Sequence, residues 1–126
     1  MKTYIGYRIS SPSIAGSDIP ATVSVSVTVI VGKRRRPLNP CNNIRNHSPT
    51  GFEWGYSGSG PAQLALALVA DCMGKRFAIA PIYQRVKAKV IAGLPHDGWT
   101  LDEQVLRDAV ADAMREADMT EADLKH

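Results

Sequence analysis

Asn46 to Met73 reads NHSPTGFEWGYSGSGPAQLALALVADCM, a loop rich in glycine, serine and aromatic residues that runs straight into a helix with almost no polar face. Pro61 suits the first helical position, because its missing N–H has no intrahelical partner there and its φ is already helical. That placement puts Gly60 at the N-cap. Gln63 then falls at the third helical position, where its side chain can reach back as in a capping box. From Ala62 to Met73 only Gln63 and Asp71 are strongly polar, while Leu64, Leu66, Leu68, Val69 and Cys72 point all round the wheel. A helix that is apolar on every side has to be buried on every side, so this one is expected to be the core of the fold.

Working toward the N-terminus, Ala21 to Val31 alternates Val23, Val25, Val27 and Val29 with Thr22, Ser24, Ser26 and Thr28. Strict period-two alternation predicts a strand of an antiparallel sheet with one buried face. Lys2 to Ile9, with Tyr4, Ile5, Tyr7 and Ile9, fits a second, half-buried strand. Gly32-Lys33 reads as a turn, and Arg34 to Leu38 as a short returning strand that Pro37 confines to an edge. Ser10–Pro20 and Asn39–Pro49 show no period and read as loops.

Toward the C-terminus, Gly74 is placed as the stop of the central helix. A second helix is predicted from about Pro81 to Ala92, with Ile82, Tyr83, Val86, Val90 and Ile91 inward and Arg85, Lys87 and Lys89 outward. Thr100-Leu101-Asp102-Glu103 has the form of a capping box, with Trp99 just ahead of it. The third helix it would open runs to about Glu116, with Leu101, Val105, Leu106, Ala109, Val110 and Ala113 on its apolar side. Thr120 is placed to cap one more short turn, and residues 117–126 read as a frayed acidic tail. The expected fold is α+β: about three N-terminal antiparallel strands, packed against the buried central helix and two further helices.

The 126 residues fit one domain. At 44% hydrophobic and 21% charged the chain has the composition of a globular protein. No apolar run reaches the roughly 18 residues of a membrane helix, and MKTYIGYRIS lacks the apolar stretch of a signal peptide, so no membrane partner and a cytoplasmic location are expected. Cys41 and Cys72 match no metal spacing and read as reduced, structural thiols. The net charge of +3 is unevenly spread. Residues 1–100 carry 12 Lys and Arg against 4 Asp and Glu, and residues 101–126 carry 3 against 8. Either the acidic end folds over the chain's own basic surface, or the two present themselves to different partners.

NHSPTGFEWGYSGSGPAQLALAL, followed by IYQRVKAKVIAGLPHDGWTL, resembles a family of small uncharacterised proteins, a domain of unknown function spread through prokaryotic, plasmid and phage genomes. The resemblance covers roughly Gly32 to Leu106, leaving Ala21–Val31, the Lys33–Arg36 run and the acidic tail outside its most recognisable part. It carries no activity. Its association with mobile elements implies a role in conflict between phage and host, most concretely as an anti-CRISPR-like inhibitor of a bacterial defence system.

Three features bear on chemistry. Ser57-Gly58-Ser59-Gly60 before a helix start has the ingredients of an anion site, since glycines let a ligand approach backbone N–H groups at the positive end of the helix dipole. Trp54 and Tyr56 beside it fit either a stacking platform for a nucleotide or additional core. The ligand set is then Trp54, Tyr56, Ser57, Gly58, Ser59, Gly60 and Gln63. Against it stands the plain reading, in which the glycines only permit a tight loop and Glu53 or Gln63 satisfies the amides. Second, Lys33, Arg34, Arg35 and Arg36 fit a contact with nucleic acid or an acidic partner, or a charged edge that discourages strand pairing. Third, His47 is the only histidine of the distinctive block, and with Glu53 it is the one pair there that invites a catalytic reading. Neither has the spacing of a catalytic triad or a metal site, and a structural histidine and an ion pair of Glu53, with Arg45 as the candidate partner, explain them more simply. No cofactor fingerprint is present. The sequence therefore favours a non-enzymatic binding protein acting on a protein or nucleoprotein partner, with a nucleotide- or phosphate-binding module and direct nucleic-acid binding as alternatives.

Overall fold

Lys2–Ser11 (β1), Thr22–Val31 (β2) and Arg34–Pro37 (β3) form the first part of the chain, followed by helices Ser59–Met73 (α1) and Ala80–Lys89 (α2). A short strand, Gly98–Asp102 (β4), then leads directly into the last long helix, Glu103–Glu116 (α3). This is a computed structural model, and it describes residues 1–49 and 51–124. Thr50, inside the distinctive block, and the two last residues of the acidic tail lie outside the described part. The architecture is α+β: one antiparallel sheet in the order β3-β2-β1-β4, with three helices.

The valine alternation of β2 acts as expected where the sheet meets the helices. Val27 and Val29 are buried, and so is Tyr4, which pairs with Val29 across β1. Farther along the β1–β2 ribbon the same face runs off the core, and Val23 is exposed. Behind the sheet lies α1. Its residues Gly60 to Val69, together with Cys72, are all buried. Leu64, Leu66 and Leu68 are completely enclosed, and each such side chain stabilises the fold by about 1.5–3 kcal/mol. The sheet and the three helices contribute to one continuous apolar core.

Several local expectations are revised. The α1 helix starts at Ser59 with Gly58 as N-cap, two residues before the predicted start, and Pro61 occupies the third position. A missing N–H is harmless anywhere in the first turn, so proline marks the start only to within a few residues. Gln63 thereby sits too deep to cap, and no side chain caps the helix. Thr100 opens no helix either. Trp99 and Leu101 point into the core and alternate with exposed Thr100 and Asp102, making a fourth strand along β1. Glu103, the supposed capping partner, accepts from the Lys2 backbone N–H (3.1 Å) and from Arg107 Nε (2.8 Å) instead. Trp99 crosses over Gly6, where a Cβ would lie 2.3 Å from the indole, so only glycine at position 6 admits the ring.

The second helix stops at Lys89 and is continued by a single 3₁₀ turn at Ile91–Gly93, with Ile82, Tyr83, Val86 and Ile91 buried as predicted. Val105, expected inside, is exposed. The segment from Ala117 to Leu124 is docked, not frayed. Thr120 and Asp123 form a capping box around a last 3₁₀ turn, and Leu124 is buried.

Candidate functional site

Three polar clusters join the sheet, α1 and the loop that precedes it. The first is centred on Asp71 in the last turn of α1. Its Oδ1 accepts from the Tyr4 hydroxyl (2.8 Å) and Lys2 Nζ (3.1 Å), and its Oδ2 from Arg36 Nη2 (2.7 Å). Burial by itself would raise the pKa of this carboxyl, but the hydrogen bonds from Tyr4, Arg36 and Lys2 outweigh it and hold the pKa below the usual range. Burial, reinforced by the bond to Asp71, pushes the Tyr4 phenol far upward.

The second cluster is centred on Gln63, which is wholly buried. Its Oε1 accepts from the backbone N–H groups of His47 (2.7 Å) and Ser48 (3.2 Å), and its Nε2 donates to the Pro40 carbonyl (2.5 Å). One amide thus fastens an aperiodic loop to the core helix. It satisfies backbone groups that have no secondary structure to pair with.

In the third cluster, Arg8 of β1 grips Glu53 with two bonds, Nη1 to Oε2 (2.9 Å) and Nη2 to Oε1 (2.7 Å). Arg8 also lies 4.7 Å over the Trp54 ring and donates from Nε to the His96 carbonyl (2.6 Å). Trp54 donates to that same carbonyl through Nε1 (3.0 Å) and meets Trp99 edge to face at 5.5 Å. The bonds from Arg8 hold the Glu53 pKa below its usual range. The expected ion pair of Glu53 exists, with Arg8 as partner in place of Arg45.

The third cluster, together with Ser48, borders a cleft of about 550 Å³ beneath the β1–β2 ribbon, at the N-terminus of α1. Val23, Ser24 and Val25 of the ribbon form its roof, Phe52, Glu53 and Tyr56 one side, and Arg8, Ser48, Ser59 and Gly60 the remainder. The first turn of α1 carries no acidic residue and no side-chain cap, so the positive end of the helix faces the cleft without a compensating carboxylate of its own. Gly60 packs tightly here, since a Cβ would stand 2.6 Å from that of Glu53.

Of the residues expected to hold a ligand, Tyr56, Ser59 and Gly60 line the cleft. Gly58 is the N-cap, with the Tyr56 ring packed against it, and Ser57 is exposed outside the lining. Two members of that set are elsewhere. Trp54 is 1% exposed and belongs to the core, because Arg8 and Trp99 cover both its face and its edge. Gln63 is 0% exposed and both ends of its amide are bonded to the loop. Arg8, Val23, Ser24, Val25 and Ser48 are lining residues that sequence reasoning missed. Arg8 had one available signal: Lys2, Tyr4, Gly6 and Arg8 share a strand face, and a charged residue there needs a partner wherever that face is covered.

His47 does not join the cleft lining. Its Nε2 is 2.6 Å from the Tyr83 hydroxyl, and the rings meet at 66°. Burial, together with the nearby charges of Arg45 and Lys87, lowers its pKa. The basic run is divided. Arg36 is committed to Asp71, whereas Lys33, Arg34 and Arg35 are exposed and make no ion pair among the described residues. The acidic C-terminal part does not cover them. Glu116 pairs with Lys89 and Arg85, and Glu121 with Arg76, all in or near α2.

With this geometry in view, comparison with known proteins gives one match: residues 21–115 fit the profile of DUF6166, a family of unknown function. The chain belongs to this family. The family's match reaches farther than the resemblance read from the sequence, taking in the whole of β2 and the basic run. It stops short of β1, whose Tyr4 and Arg8 nonetheless complete two of the three clusters. No curated protein and no solved structure matches the chain. No helix among the described residues is long and apolar enough to cross a membrane, and no group of three or more metal-ligating side chains occurs among them.

Proposed function

We propose that this member of the family is a binding protein whose cleft takes a small ligand with an anionic group, of the phosphate or nucleotide class. The observation that supports this reading is the uncapped N-terminus of a largely buried helix opening on a cleft lined by both polar and apolar side chains. The anionic group would sit at the Ser59 and Gly60 amides, helped by the Ser59 hydroxyl. A planar or apolar body would lie between Tyr56 and Phe52 on one side and Val23 and Val25 above.

Ser59→Asp separates binding from folding. A carboxylate at the first helical position is expected to raise stability by about 0.3–1 kcal/mol through the helix dipole, while occupying and repelling the anion site. Thermal unfolding is measured with phosphate and with a panel of nucleotides. The wild-type chain is expected to gain several degrees from at least one ligand at well above its dissociation constant, and the variant none. No ligand-dependent shift in the wild type across the panel defeats this proposal.

A second reading, contact with a nucleoprotein or nucleic-acid partner, is favoured by Lys33 and Arg34 at the edge of the sheet, exposed and unneutralised. Inhibition of a bacterial defence system is its most concrete form. Replacing both by Ala is expected to weaken nucleic-acid binding and lower its salt dependence by about one to two counterions. An unchanged slope removes this second reading.

A further inference from the structure

The sheet has a helix-covered face and an open one, and β1 presents the wrong set of residues to each. Lys2, Tyr4, Gly6 and Arg8 turn toward the helices, while Thr3, Ile5, Tyr7 and Ile9 turn away from them. Ile5, Tyr7 and Ile9 are the more apolar set, and in a strand with one buried face that set normally supplies the core. Here Tyr7 is 39% and Ile9 51% exposed, and no residue on this side of the four strands is buried. Ile30 of β2 joins them, since it lies opposite Thr3.

The cross-strand register arranges the open face in rows. One row runs Arg35, Ile30, Thr3, Asp102 from edge to edge, and the next runs Pro37, Thr28, Ile5, Thr100. Ser26, Tyr7 and Gly98 make the third, and Ser24 and Ile9 the fourth. A cation therefore stands at one edge of the first row and an anion at the other. Both are exposed, and neither has an ion-pair partner among the described residues. Asp102 does not even use its carboxylate to cap α3.

We infer that this face is covered by a second copy of the chain, related by a twofold axis that runs along the strands midway between β1 and β2. Such a rotation exchanges the two edges of the sheet and keeps the rows in register. Arg35 of each copy then faces Asp102 of the other. Ile9 of each copy meets Ser24 of the other, large against small, while Tyr7 leans over Ser26 and Thr28 of its own sheet and presents its ring between the copies. Face-to-face sheets lie about 10 Å apart, a gap that an arginine and an aspartate reaching from opposite sides can close. The strand dimensions give on the order of 500 Å² per copy, about 1,000 Å² in total, at the lower edge of specific interfaces. The dimer is accordingly a weak one, with an apolar centre and two charged pairs at its rim.

Sedimentation equilibrium across about 5–500 µM tests the assignment. The wild-type chain is expected to show a monomer–dimer equilibrium within that range. Arg35→Glu and Asp102→Arg should each weaken dimerisation about tenfold or more. The double variant Arg35→Glu/Asp102→Arg should recover to within a few-fold of wild type, because the exchanged charges meet again. Tyr7→Glu, checked by circular dichroism for an intact fold, should leave only monomer. A wild-type chain that is monomeric throughout overturns the inference, as does a double variant no better than the worse single one. A monomer that binds a single-stranded oligonucleotide in a manner dependent on Tyr7 and Arg35 overturns it too and gives the face a different occupant.

Discussion

Replacing Gln63 by leucine is the sharpest test of how the loop before α1 is held. The substitution keeps the volume and the apolar surroundings but removes two acceptor contacts and one donor contact, to His47 N, Ser48 N and Pro40 O. Each buried backbone group left unpaired costs about 1–3 kcal/mol. Some of that is relieved where the loop admits water, since Pro40 is exposed and His47 partly so. Allowing about 1 kcal/mol in favour of the leucine, the net destabilisation is about 3 kcal/mol. For a chain of this length that corresponds to a fall in Tm of roughly 10 °C. Urea denaturation gives the free energy directly, from a lowered midpoint at unchanged slope. Because Ser48 is part of the cleft wall, the ligand-dependent thermal shift should shrink in the same variant. A loss below about 1 kcal/mol would refute the reasoning, for it would mean that the loop keeps its backbone groups satisfied without this amide.

Asp71→Asn tests the cluster at the other end of α1. At pH 7 the variant should lose about 1.5–3 kcal/mol, since charge-assisted bonds to Lys2 and Arg36 are weakened and Tyr4 faces a poorer acceptor. The folded-state pKa of Asp71 is lowered, so its contribution is full above the ordinary carboxylate range of about 4 and disappears as pH falls through the depressed folded value. Wild type should therefore lose more stability than Asp71→Asn on acidification from about pH 5, and equal acid limbs would sink the assignment. Gly6→Ala should cost about 1–3 kcal/mol by driving the Trp99 ring off β1, with a change in tryptophan fluorescence; a neutral result would contradict the packing there. Glu53→Gln removes the negative charge from the cleft and loosens the grip on Arg8, so an anionic ligand should bind several-fold tighter. Weaker binding would show that Glu53 contacts the ligand itself.

Local pattern was enough wherever a segment's neighbours in sequence decide its environment. The β2 alternation, the turn at Gly32 and the all-round apolar α1 were legible because period and polarity alone specify a strand or a buried helix. Gly98–Asp102 was not, since five residues with a helix-like start signal become a strand only if another strand offers an edge, and β1 lies more than ninety positions away. The candidate site divides in the same way. Tyr56, Ser59 and Gly60 were found because the signal is local: a glycine-rich turn before a helix. Arg8, Ser48 and the valine roof were not, because they reach the cleft through strand pairing and through the Gln63 amide. Tertiary structure also decided which aromatic is core and which is free, enclosing Trp54 between Arg8 and Trp99 while leaving Tyr56 exposed. Sequence by itself determined where the chain is oily and where it bends. Which face of β1 is covered, which charges find partners and which stay open depend on contacts between distant segments, and no window along the chain contains them.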